Sequence, residues 1–136
     1  MKLQKLISKL EKHHKKKLDL SLGRTFNLLK KLGNPQDKLK NVVTVVGTNA
    51  KASMCYSLKS ILNHGGYKTN LYTSPHLLSY TERYVFEDKE INEEDLKELL
   101  TDVEKTLGDD NATLFEILTC AFLKHAESFK DNINII

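Results

Sequence analysis

Apolar residues open the chain at Leu3, Leu6, Ile7 and Leu10, with lysine, glutamine and serine between them. That spacing puts four side chains on one helix face and predicts an amphipathic first element. Phe26, Leu28, Leu29 and Leu32 repeat the pattern and predict a second helix over 21–32. Gly33 and Pro35 stop it: glycine accepts the left-handed position after a helix, and proline cannot extend one. The rhythm then changes. In "NVVTVVG" (41–47) apolar residues do not alternate with polar ones, which predicts a strand buried on both faces. Residues 53–64 return to helical spacing and close at Gly65-Gly66, and "YKTNLYT" (67–73) predicts another strand. Such a strand–loop–helix–strand unit is expected to make two neighbouring parallel strands through a right-handed crossover, with the helix across one face.

Further on, "YVFEDKEI" (84–91) suggests a hairpin turning at Glu87-Asp88. Asn92 is a good helix N-cap, and Leu96, Leu99, Leu100, Val103 and Leu107 give the next helix its stripe up to Gly108. "TLFEILTCAFLKHAESF" (113–129) is apolar nearly all round and predicts a buried helix, and "NINII" (132–136) predicts a strand in which the chain ends. The expected fold class is α/β: an incomplete P-loop-type parallel sheet with flanking helices. It is expected as a single, truncated domain over 1–136, with 1–40 a helical lead-in and 41–136 the α/β core.

The 136 residues suffice for a modest core, and 40% hydrophobic with 29% charged residues is ordinary globular composition. The net charge of +3 is mild, and its basic excess gathers in "EKHHKKKLDL" (11–20). No aromatic residues interleave those lysines to stack on bases, so a solvated helix face, including His13 and His14, is expected rather than a nucleic-acid partner. Cys55 and Cys120 lack disulfide or metal spacing and are expected as buried free thiols in a reducing compartment. No apolar run approaches the roughly 18 residues of a membrane span, and no signal-peptide pattern opens the chain. The expectation is a cytoplasmic protein without a membrane partner.

The candidate chemistry lies where the first strand becomes a helix, in "VVTVVGTNAKASMCYSLKSIL" (42–62). A strand feeding a helix through a tight loop aims backbone N–H groups and the positive end of the helix dipole at one spot, which makes an anion site. Lys51 would add a mobile positive charge for phosphates, and Ser53 a hydroxyl for Mg²⁺. Glycine is favoured around such a lysine, yet Ala50 and Ala52 stand there, and Val45 stands where the general pattern has another glycine. An alanine forced into the left-handed region costs about 1–2 kcal/mol. By itself the loop leaves two readings open, a phosphate site and a strand-to-helix turn with an exposed lysine.

Other stretches separate the two. "VVGTNAKAS" resembles the GTNGKGS loop of the folylpolyglutamate synthases and dihydrofolate synthases of the Mur ligase superfamily. "YKTNLYTSPHLLSYTERYVF" is similar to that family's strand and SPHL…ER loop, "ATLFEILTCAFLKHAE" to its FEXXT helix, and "LLKKLGNPQDKLK" to its lead-in. The matches fall in the family's order along nearly the whole chain. The resemblance implies an ATP-dependent ligase that joins glutamate to dihydropteroate or to a folate through an acyl phosphate, with ATP and Mg²⁺ as cofactors. It implies ATP binding by Gly47, Thr48, Asn49, Ala50, Lys51, Ala52 and Ser53, a metal held by Ser53, Ser74 and Glu116, and substrate binding by Arg83. Both glycines around the lysine are alanine here, so weakened ATP binding is expected. Family elements that follow the "NINII" strand are absent, so an amino-terminal fragment inactive by itself is expected. The rival reading is a non-catalytic truncated or decayed P-loop binding module.

Each residue also has a plainer reading. Thr113 and Glu116 have capping-box spacing, so Glu116 fits a helix cap as well as a metal. Ser74-Pro75 fits a strand-ending turn, His76 a loop histidine without a chemical role, and Arg83 beside Glu82 a surface ion-pairing residue.

Overall fold

A computed structural model of the protein describes residues 2–13 and 21–136, and the side chains of 13–20 lie outside that description. The expected solvated face with His13 and His14 falls largely there. Five helices and five strands are described: α1 (Leu3–Leu10), α2 (Gly23–Lys31), β1 (Asn41–Val43), α3 (Lys51–His64), β2 (Thr69–Tyr72), β3 (Tyr84–Phe86), β4 (Lys89–Glu90), α4 (Glu93–Leu107), α5 (Leu114–Ala126) and β5 (Ile133–Ile135). They divide between two compact units, one of Met1–Asp37 with Glu93–His125 and one of Lys38–Asn92 with Ala126–Ile136.

The first unit is helical. Leu3, Leu6, Ile7 and Leu10 of α1 are buried, as the spacing predicts, and so are Leu28 and Leu29 of α2 and Leu96, Leu100, Val103 and Leu107 of α4. Helix α2 ends through a Schellman motif at Gly33 (φ 86°), where the Asn34 N–H reaches the Leu29 carbonyl at 2.8 Å and the Gly33 N–H the Lys30 carbonyl at 3.1 Å. Glycine takes the positive φ there without a Cβ clash. Ile117, Leu118, Cys120, Ala121 and Phe122 of α5 are buried, in line with its apolar sequence.

The second unit is a five-stranded sheet in the order β1-β5-β2-β3-β4. Strands β1, β5 and β2 are parallel, and β3 and β4 run antiparallel as the hairpin that turns at Glu87-Asp88. Both turn residues have positive φ, 48° and 67°. Helix α3 covers part of the sheet: Cys55 joins Leu71, Val85 and Ile135, and Leu58, Leu62 and Val45 pack against that cluster.

Two sequence expectations are corrected here. β1 and β2 share the sheet and run parallel, but they are not neighbours, because β5 lies between them and pairs with both. Asparagines specify that placement. Asn134 of β5 stands in register with Val42 and with Asn70, and its Oδ1 accepts from Asn70 Nδ2 at 2.9 Å. Asn132 Nδ2 donates to Asn70 Oδ1 at 3.0 Å, and Asn134 Nδ2 donates to the Asn41 carbonyl at 3.3 Å. A one-residue slip would strand these buried amides, at a cost of about 1–3 kcal/mol for each unsatisfied group. Second, β1 is short and exposed rather than buried on both faces: Val42 is 47% and Val43 39% accessible. Among the described residues it lies at the sheet edge and pairs with β5 alone, so its apolar pattern is not matched by cover within this unit.

Candidate functional site

The loop from β1 to α3 is exposed through Gly47–Ser53. Helix α3 begins at Lys51, two residues before the position expected from the apolar pattern. Its N-cap is Ala50, which sits in the left-handed region (φ 59°, ψ 10°). The Ala50 carbonyl accepts the first intrahelical hydrogen bond, from Met54 N–H at 3.0 Å. Among the described residues no side chain caps this end of the helix, and no acidic residue stands in its first turn. The first N–H groups of a helix have no intrahelical partner, so an anion at this point would meet donors and the positive dipole end together. Lys51 Nζ donates to the Gly47 carbonyl at 2.7 Å, which curls the side chain over its own loop. The two alanines differ: Ala50 bears the positive φ, whereas Ala52 lies inside the helix.

Downstream of β2, Ser74 is exposed and joined to Pro75 by a cis peptide bond. The loop after it is built around Glu82, a residue that sequence reasoning passed over. Its carboxylate accepts from the backbone N–H groups of Leu77, Leu78 and Ser79 at 2.8, 2.7 and 2.6 Å. Hydrogen bonds from Leu77, Ser79 and Leu78 hold its pKa below the ordinary carboxylate value. Arg83 is likewise more than a surface charge. Its Nε donates to His76 Nδ1 at 2.9 Å, and its guanidinium lies 5.2 Å from the Tyr80 ring centroid. The His76 and Tyr80 rings stand 4.2 Å apart. Because Nδ1 accepts, a neutral His76 carries its proton on Nε2. His76 thus has a geometric task that sequence reading did not assign: it orients Arg83.

Glu116 belongs to the helical unit. With Thr113 it forms the capping box its spacing predicts: Glu116 N–H donates to Thr113 Oγ1 at 3.1 Å, and Thr113 N–H to Glu116 Oε2 at 2.6 Å. The structure adds Arg24, whose Nε and Nη2 donate to Oε2 and Oε1 at 3.2 and 3.1 Å. Burial by itself would raise the Glu116 pKa, but the bonds from Arg24 and Thr113 outweigh it and hold the carboxyl below its ordinary value. The only sequence signal for Arg24 was one cation among three in the second helical segment, with Lys30 and Lys31, too common to single out.

A hydroxyl on the first turn of α3, another at Ser74 and an ionised carboxylate at Glu116 are hard oxygen donors, the chemistry that suits Mg²⁺. Among the described residues, no group of three or more histidines, cysteines, aspartates or glutamates is gathered to hold a metal. Thus Gly47–Ser53, Ser74 and Arg83 lie in the sheet unit, while Glu116 with Arg24 lies in the helical one. No helix is long and apolar enough to cross a membrane among the described residues.

A strand–loop–helix with a lysine at an uncapped helix start, on a sheet with parallel strands, defines a P-loop-type α/β protein. No protein-family model matches the chain. It is 38% identical over 117 residues to the dihydrofolate synthase/folylpolyglutamate synthase of Escherichia coli strain K12, spanning 86% of this chain and 28% of that protein. Solved structures agree. E. coli FolC in complex with DHPP and ADP superposes with a TM-score of 0.90 at 35% identity, covering 99% of this chain and 32% of that one. The bifunctional folylpolyglutamate synthase/dihydrofolate synthase of Yersinia pestis, complexed with AMPPNP and Mn ion, does so at 0.90 and 30% identity, covering 99% and 33%. The chain is a homologue of the dihydrofolate synthase/folylpolyglutamate synthases over the part of them it spans, about 28% of the curated E. coli protein.

Proposed function

We propose that the chain is the ATP-binding part of an ATP-dependent ligase that adds glutamate to dihydropteroate or to a folate through an acyl phosphate. The observation that carries this reading is the start of α3: an uncapped helix N-terminus with Lys51 in its first turn, in a homologue of proteins solved with ADP and with AMPPNP and Mn ion. In this reading Gly47–Ser53 cradle the ATP phosphates through backbone N–H groups, and Lys51 releases the Gly47 carbonyl to pair with them. Ser53 and Ser74 in the sheet unit, and Glu116 in the helical one, are each read as an oxygen ligand for a divalent cation, which when bound would neutralise phosphate charge. Arg83, oriented by His76 and Tyr80, faces the pterin-bearing substrate and contributes a donor and a flat cationic surface. Positioning and charge neutralisation are what phosphoryl transfer chiefly needs from a protein.

The 136 residues form the nucleotide-binding domain in this reading, and by themselves they bind without ligating. Calorimetric titration of Mg-ATP into the chain tests the first half. The expected result is saturable binding, lost in large part in Lys51→Ala. Absence of binding, both in this chain and after Ala50→Gly, would remove the nucleotide reading and leave a binding module of another kind. Folate-dependent ATP turnover by the purified chain would overturn the second half.

A further inference from the structure

Glu116 is gripped from another helix in a way its capping role does not require. A capping box needs the Thr113 N–H on one carboxylate oxygen, and Oε2 has it at 2.6 Å. Arg24 adds two parallel donors, one to each oxygen, from 92 residues away in sequence. Both side chains are largely withdrawn from solvent, 18% accessible for Arg24 and 13% for Glu116. A carboxylate offers about four lone-pair positions. Oε2 uses two of them, on Arg24 Nε and Thr113 N–H, and Oε1 uses one, on Arg24 Nη2. Among the described residues one position remains, and it is on Oε1.

We propose that Arg24 is a positioning residue that fixes the Glu116 carboxylate so that its remaining Oε1 lone pair is offered to a divalent cation as a single-oxygen ligand. The inference rests on the reading of Glu116 as a metal ligand given above. Without Arg24, only the Thr113 N–H on Oε2 holds the carboxylate, Oε1 can swing about that bond, and binding a cation has to order it. The flat two-pronged guanidinium orders the carboxylate beforehand and occupies Oε2, which excludes two-oxygen chelation. The opposing effect is charge: a guanidinium beside the carboxylate repels a cation. If repulsion governed, removing Arg24 would tighten metal binding. If orientation governs, removing it weakens binding, and outer-shell partners of metal ligands are typically worth about ten- to a hundredfold in affinity.

The test is Mn²⁺ affinity of the full chain by electron paramagnetic resonance of the free ion, alone and with AMPPNP. The original chain is compared with Arg24→Ala, Arg24→Lys and Glu116→Gln, and circular dichroism checks each fold. Orientation predicts about a ten- to hundredfold loss in both Arg24 variants, because lysine keeps the charge but cannot span both oxygens. Lysine retains an ion pair between α2 and α5, so Arg24→Lys decides the matter if Arg24→Ala fails to fold. Unchanged or tighter Mn²⁺ binding in Arg24→Lys, with Glu116→Gln weakened, overturns the positioning role and leaves Glu116 a ligand. Unchanged binding in Glu116→Gln overturns the ligand reading itself, and this inference with it. Absence of Mn²⁺ binding in the original chain overturns both.

Discussion

Helices α3 and α5 begin in opposite ways. At α5, a threonine hydroxyl and a glutamate carboxylate satisfy backbone donors, and Arg24 pairs with that carboxylate from another helix. At α3, the N-cap is an alanine in a left-handed conformation, no side chain caps the helix, and the nearest cation curls onto its own loop. Alanine is among the poorest N-cap residues, and each helix start has four N–H groups without an intrahelical partner. One terminus is therefore capped by side chains, while among the described residues the other has no side-chain cap, and its donors are the ones the proposed reading gives to phosphate.

The largest effect is expected at the closed end. Glu116→Gln removes the charged acceptor of both Thr113 and Arg24, and should cost about 2–3 kcal/mol in a urea titration. An equivalent loss at α3 would break the comparison. The pH dependence follows the same carboxylate. Its folded pKa lies below the ordinary 4.5, so its stabilisation is fully present above that value and is lost as pH falls through the lower folded one. The original chain should therefore lose stability more steeply below about pH 4.5 than the Glu116→Gln variant, and parallel acid titrations would refute this.

At the open end, Lys51→Ala should leave the unfolding midpoint nearly unchanged, because its ammonium bonds only the Gly47 carbonyl among the described residues. Its effect should appear in Mg-ATP affinity instead, as a loss of about 1.5–3 kcal/mol, the worth of a charge-assisted hydrogen bond. A stability loss without an affinity loss would make the lysine structural.

A smaller pair of effects sharpens the contrast within the loop. Ala50→Gly relieves a left-handed alanine worth about 1–2 kcal/mol, partly offset by the freer unfolded chain, for a net gain of about 0.5–1 kcal/mol. Ala52→Gly places glycine in the helix and should destabilise by up to about 1 kcal/mol. Opposite signs are expected in thermal melts, and equal signs would contradict the split between the two positions. The smallest effect concerns the thiols of the two helices. Burial, and then the Glu116 charge, pushes Cys120 up to about 12, while burial alone raises Cys55. Thiol labelling at pH 8, followed by mass spectrometry, should therefore modify Cys55 before Cys120, with both slow in the folded state.

Much of this molecule follows from interactions spanning four residues or fewer, and those were legible in the chain itself. The stripe on α1, the stop at Gly33, the turn at Glu87-Asp88 and the Thr113–Glu116 box depend on local periodicity, positive φ and short hydrogen-bonded rings. The candidate loop was visible for the same reason, as a strand pattern breaking into a helix pattern around one lysine. Only the tertiary structure decided the rest. Whether β5 pairs beside β2 alone or enters between β1 and β2 depends on amides brought together from 64 residues apart. That Ala50 takes the left-handed turn while Ala52 is helical depends on where α3 starts, which the apolar pattern misplaced by two residues. That Glu116 meets Arg24 depends on closing a separation of 92 residues. A pattern of neighbours records the preferences of a segment, but strand order and distant ion pairs arise from chain closure, where many similar residues compete and only packing selects among them.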